Sequence, residues 1–171
     1  IPNYQKYFII DGISRCKPTN ITVADLEDFN KKCKALTNQR ITAVGHNQEV
    51  LNEHGTLGAE TTWLAAIEDA NQASNTQEFI MSTDDGNNWV SYVGTNMDTD
   101  YIYDIKYIKG RWYAVGKKGT EGRICSTADL NDPWEQMGTT KPCLHIGVGR
   151  DVENTKIIIG CESGYIVQNQ V

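Results

Sequence analysis

The octapeptide Ser82-Thr83-Asp84-Asp85-Gly86-Asn87-Asn88-Trp89 reads as a tight turn joining two short strands. On either side, residues 78–82 and 89–93 are rich in β-branched and aromatic side chains, the composition of a hairpin's arms. Within the turn, the short Asp84 carboxylate can accept backbone N–H bonds, and Gly86 can take a positive φ without steric cost. Trp89 is placed to pack over the hairpin.

The same texture extends outward from this hairpin. From Arg40 onward, short apolar segments alternate with Gly, Asn and Asp, which predicts strands near 41–44, 62–67, 78–82, 89–93, 103–108, 112–115, 123–126, 134–137, 144–148, 156–159 and 164–167. A weak repeat organises them. Trp112-Tyr113-Ala114-Val115-Gly116 matches Lys156-Ile157-Ile158-Ile159-Gly160 at a spacing of 44, and Ile80-Met81-Ser82-Thr83 matches Ile124-Cys125-Ser126-Thr127 at the same spacing. Gly122-Arg123-Ile124 matches Gly164-Tyr165-Ile166 at 42. A four-strand unit of this length is what a propeller blade requires. A second, degenerate copy of the turn runs from Ser126 to Trp134; aligned from Ser126 it is one residue longer and lacks the Gly.

Ser82, Asp84, Gly86 and Trp89 fill all four positions of the pattern Ser-x-Asp-x-Gly-x-x-Trp, so the turn resembles the Asp-box of the bacterial neuraminidase repeat family. The resemblance covers about residues 40–171, or three repeats. It implies a mainly β fold of blade-like antiparallel sheets, with the Asp-box structural and remote from any active site. The rival architecture is a two-sheet sandwich. Sialidases of this family need an arginine triad, a Tyr–Glu nucleophile pair and an acid/base Asp. Arg15, Arg40, Arg111, Arg123 and Arg150 are the only arginines, and none stands in an Arg-Ile-Pro signature. The expectation is therefore no catalytic residues and no cofactor, with a glycoside hydrolase fragment as the enzyme alternative; the carboxylates Asp98, Asp100, Asp104, Glu121 and Asp151 offer pairs but no selected pair.

The first forty residues differ. Residues 7–10 predict a short strand, and residues 22–36 a helix capped by Thr22, with Val23, Leu26, Phe29, Cys33 and Leu36 at helical spacing. The chain thus reads as one domain, with an N-terminal strand and helix segment over 1–40 and β repeats over 41–171. It opens on Ile1 rather than Met, as a fragment or processed product would.

Composition excludes several function classes. Of 171 residues 39% are hydrophobic and 22% charged, with a net charge of −6, so the chain is expected to be globular and a nucleic-acid partner is not expected. No apolar run approaches the roughly 18 residues of a membrane span. Five cysteines (Cys16, Cys33, Cys125, Cys143, Cys161) include no CxxC, which favours buried free thiols over a disulfide framework. The His46, Glu49, Glu53, His54 cluster lacks zincin spacing, and no metal site is expected.

What remains is a binding surface. Tyr101-Ile102-Tyr103-Asp104-Ile105-Lys106-Tyr107 followed by Arg111-Trp112-Tyr113 concentrates aromatic residues, and strict alternation puts Tyr103, Ile105 and Tyr107 on one face. Tyr101, Tyr103, Asp104, Arg111 and Trp112 are the candidate ligand contacts, rings for stacking on a sugar and polar groups for its hydroxyls. The expected function is a non-enzymatic recognition domain for a carbohydrate or cell-surface receptor, of the kind found in bacteriophage tail fibres or spikes, on a virion tail or an extracellular surface. A structural domain that trimerises a longer fibre is the other alternative. The last repeat lacks a Trp-bearing fourth strand, so its third strand is expected to pair with residues 7–10 or with another copy. A homo-oligomer, with three copies favoured, is the expectation.

Overall fold

The computed structural model describes residues 39–47, 61–68, 75–84, 86, 88–150 and 155–170. The chain divides into two compact units, Ile1–Asn38 and Gln39–Val171, and every described residue belongs to the second. The strand expected at 7–10 and the helix expected at 22–36 lie outside the described residues.

The second unit is mainly β, with three antiparallel sheets formed in chain order. The first contains β1 (Ile41–His46), β2 (Trp63–Ile67), β3 (Thr76–Ser82) and β4 (Val90–Thr95). The second contains β5 (Tyr101–Ile108), β6 (Arg111–Lys118), β7 (Glu121–Thr127) and β8 (Glu135–Thr139). The third contains β9 (Cys143–Arg150), β10 (Thr155–Cys161) and β11 (Ile166–Gln170), with a 3-10 turn at Glu162–Gly164 between the last two. Each sheet is a simple meander, the topology that short loops between sequential strands favour. All eleven expected strands are present, extended by one to three residues at most ends.

The sheets pack on one another through alternating side chains. Trp112 and Ala114 of β6 face the first sheet and join Ala43, Leu64, Ala66, Phe79, Ile102 and Ile105 in one core cluster. Val115, one residue out of phase, faces the third sheet and joins Ile146, Ile157, Ile159, Cys143 and Cys161 in another. The middle sheet is therefore apolar on both faces. β1 comes so close to β5 that a Cβ on Gly45 would stand 2.6 Å from Ile105 Cγ2 and 2.8 Å from its carbonyl oxygen. Glycine is required there because backbone occupies the space a side chain would need.

Two register details depart from expectation. Pairing along β5 and β6 jumps from Ile102–Gly116 to Asp104–Val115, so Tyr103 is an extra residue in a β-bulge. The bulge turns Ile102 and Ile105 to the same core, so strict alternation holds from Asp104 onward but fails at Tyr103. The repeat also closes differently at its end. Gly116 pairs with Arg123 while Gly160 pairs with Ile166, so the third strands are offset by 43 residues, and the Gly122–Gly164 match at 42 is one residue out.

Candidate functional site

Successive hairpins of a meander point to opposite ends of the sheet. Arg40 lies over Tyr101 and Gly45 against Ile105, so β1 and β5 run in the same direction and share these ends. One end carries the starts of β1 and β5 with the β4–β5 and β6–β7 connections. The other carries the β3–β4, β5–β6 and β7–β8 turns.

The Ser82–Trp89 turn joins β3 to β4. Asp84 Oδ1 accepts the Ser82 hydroxyl at 2.8 Å and the Asn88 backbone N–H at 2.8 Å, while Oδ2 accepts the Asn88 amide at 2.6 Å. Gly86 adopts φ +84° and donates its N–H to Ser82 Oγ at 2.9 Å. Trp89 returns over the turn, its indole N–H bonding Gly86 O at 3.0 Å. The Asn88 backbone N–H, the Asn88 side chain and the Ser82 hydroxyl, in that order, lower the Asp84 pKa from 3.8 to about 2. Ser82, Asp84, Gly86 and Trp89 thus bond one another in a closed local network.

The degenerate copy is the same length as the first, not one residue longer. Thr127, rather than Ser126, stands in the place of Ser82, its hydroxyl bonded to Asp129 O at 2.6 Å and receiving the Asp129 N–H at 3.3 Å. Asp129 Oδ1 accepts the backbone and side-chain N–H groups of Asn131, both at 2.9 Å. Counting from Thr127, Asp129 and Trp134 fall where Asp84 and Trp89 fall in the first copy, and Asn131 replaces Gly86.

The five candidate ligand contacts divide between the two ends. Tyr101 and Tyr103 are together, half-buried, with ring centroids 4.6 Å apart, and the Arg40 guanidinium sits 5.7 Å from the Tyr101 ring. Asp104, next along the strand, turns into the protein: its Oδ2 accepts the Ile146 N–H and its Oδ1 the Ile105 N–H, both at 2.9 Å. Arg111 lies at the opposite end, bonded to Glu135 at 2.6 Å and to Ser126 Oγ at 3.2 Å. Trp112 is only 3% exposed and meets Tyr107 edge-on at 5.2 Å, so it belongs to the core and not to a ligand platform.

Charged residues missing from the expected set gather beside Tyr101. Lys118 bridges Asp98 at 3.2 Å and Asp100 at 2.9 Å, and Arg123 bonds Glu121 at 3.0 Å. The Asp100 and Asp98 carboxylates hold the Lys118 pKa above its ordinary value. Burial works to raise the Asp100 pKa, but the Gly119 N–H at 2.6 Å and the Lys118 ammonium outweigh it and leave a net lowering. No local spacing marks Arg40, Lys118 and Arg123 as neighbours of Tyr101 and its loop, because strand adjacency alone brings them there. Among the described residues, no group of three His, Cys, Asp or Glu is placed to hold a metal ion, and no helix is long and apolar enough to cross a membrane.

Half-exposed rings beside a cation and carboxylates can stack on the apolar face of a sugar and bond its hydroxyls. No family model, curated protein or solved structure matches the chain.

Proposed function

We propose that residues 41–171 are consecutive blades of an Asp-box β-propeller-like module whose β5-start end recognises a carbohydrate or a cell-surface receptor without catalysis. The propeller reading is supported by three meanders in chain order, the close approach of β1 to β5, and the turns centred on Asp84 and Asp129 at matching positions. The observation that carries the binding reading is the half-buried Tyr101–Tyr103 pair beneath Arg40. Asp98, Asp100 and Lys118 beside it supply acceptors and donors of the kind that fix a sugar's orientation. A bacteriophage tail fibre or spike is the setting we propose, on the general texture of Asn- and Gly-rich repeats.

A glycan array probed with the full chain tests this reading. The expected result is retention of one glycan class, weakened about tenfold or more by Tyr101→Ala and unchanged by Arg111→Ala. An array with no retained glycan, or equal binding by the Tyr101→Ala protein, overturns it. Turnover of a fluorogenic glycoside panel would favour the hydrolase alternative.

An assembly role is favoured by a separate observation. Ile158 and Ile166 share the face of the third sheet opposite the core and are 41% and 68% exposed. Among the described residues no strand pairs with the outer edge of β11. An exposed apolar face invites pairing with another copy, with three copies as the favoured number. Light scattering at micromolar concentration distinguishes a 19.1 kDa monomer from such an assembly.

A further inference from the structure

Cys143 opens β9 and Cys161 closes β10, and the two are partners across the antiparallel pair, where the register shifts by one residue at Leu144. The Cys161 thiol donates to the Cys143 sulfur at 3.4 Å. Cys143 in turn lies 3.2 Å from Thr139 Oγ1 and 3.8 Å from Lys141 O, which also accepts the Thr139 hydroxyl at 2.8 Å. The two sulfurs are thus direct neighbours in the buried core. A disulfide requires sulfurs about 2.05 Å apart. The sulfurs must approach by only about 1.4 Å. Cys125, the remaining described cysteine, belongs to the other core cluster.

The pair lies just beneath the surface, where two turns meet. Glu162, directly after Cys161, donates its N–H to Pro142 O at 2.9 Å, and Pro142 directly precedes Cys143. Cys161 itself donates its N–H to Tyr165 O at 2.9 Å, closing the 3-10 turn. That turn is exposed throughout and holds Ser163 at φ 60° and Gly164 at φ 77°. It also aims the chain into β11.

We propose that Cys143 and Cys161 are a reversible disulfide site, oxidised by exchange with a small-molecule disulfide of the glutathione type, and that the bond fixes the Glu162–Gly164 turn and the start of β11. One protein thiolate attacks the small disulfide and releases one small thiol. The second protein thiolate then attacks the mixed disulfide and releases the other. Two protein thiols are oxidised, the small disulfide is reduced to two thiols, and the protons lost by the cysteines are taken up by the departing thiolates. Burial pushes the Cys161 thiol up to about 12, so exchange from the closed state is slow and proceeds when the turn opens at the Glu162–Pro142 bond.

The test equilibrates the full chain with oxidised and reduced glutathione at graded ratios, followed by alkylation and non-reducing peptide mapping. We expect one bridge, Cys143 to Cys161, lost on reduction. Amide exchange over residues 162–168 should be about tenfold slower in the oxidised protein. Cys161→Ala should abolish both the bridge and the slowing; mapping of the unaltered chain decides the matter even if that variant folds poorly. Two alkylated thiols in oxidised glutathione alone, a bridge from either residue to Cys16, Cys33 or Cys125, or equal exchange in both redox states would overturn the proposal.

Discussion

The Asp104 carboxylate accepts the backbone N–H of Ile146 at 2.9 Å, across 42 residues of chain and from one sheet to the next. Asp104 is placed to do this by the bulge at Tyr103. Its second oxygen holds the Ile105 N–H at 2.9 Å, so the side chain is braced from both sides. A charged acceptor bonding two backbone donors is a stronger tie than a neutral pair.

Asp104→Ala leaves the Ile146 and Ile105 N–H groups without that acceptor and should destabilise the protein by about 1–3 kcal/mol in urea unfolding. Asp104→Asn, which keeps one carbonyl oxygen, should lose less. Equal midpoints for Asp104→Ala and the parent would remove Asp104 as a strut.

Gly45→Ala drives a methyl group into the Ile105 side chain and carbonyl, and should cost about 1–3 kcal/mol by thermal unfolding. Gly149→Ala is the matched control: a Cβ there meets nothing within 4 Å, so its midpoint should stay close to the parent's. If the two variants unfold alike, the close approach of β1 to β5 is wrong.

Trp134 donates its indole N–H to the Tyr92 hydroxyl at 2.9 Å, joining the β7–β8 turn to β4. A double-mutant cycle of Trp134→Phe with Tyr92→Phe should return a coupling of about 0.5–1.5 kcal/mol. Additive losses would show that the bond contributes nothing beyond packing.

Because the Asp84 pKa falls to about 2 in the folded chain, its bonds add stability that is complete above the unfolded value of 3.8 and disappears as pH falls through about 2. Asp84→Asn should therefore be less stable than the parent at neutral pH, and the gap should shrink between about pH 4 and pH 2. A gap that stays constant across that range would mean that the carboxylate's charge is irrelevant to the turn.

Most strands are legible because they bury apolar residues between Gly, Asn or Asp turns, and the Asp84 turn is legible because its bonds are all local. Sequence alone did not reveal features that depend on pairing register. Tyr103 looks like any alternating strand residue until Gly116 is found opposite Ile102. The second turn reads one residue too long in sequence because Ser126 and Thr127 are chemically equivalent caps, and the hydrogen bonds of Thr127 separate them. Trp112 reads as a platform ring in sequence because an aromatic residue is the same letter in a core and on a surface, and only its 3% exposure separates the two. Cys143 and Cys161 were separate small hydrophobes until β9 and β10 paired.

Trp134 stacks on Phe79 with ring centroids 6.1 Å apart and planes within 8°, and its backbone N–H bonds Thr95 O at 3.0 Å. The first sheet's core is thus completed by a residue that follows three strands of the second sheet. On the ribosome, where chain emerges at roughly 5–20 residues per second, Phe79 must wait for Trp134 before its cluster closes. The nascent first sheet therefore exposes an unfilled apolar hollow during that interval. A truncated message ending before residue 134 would yield a product that chaperones hold rather than release.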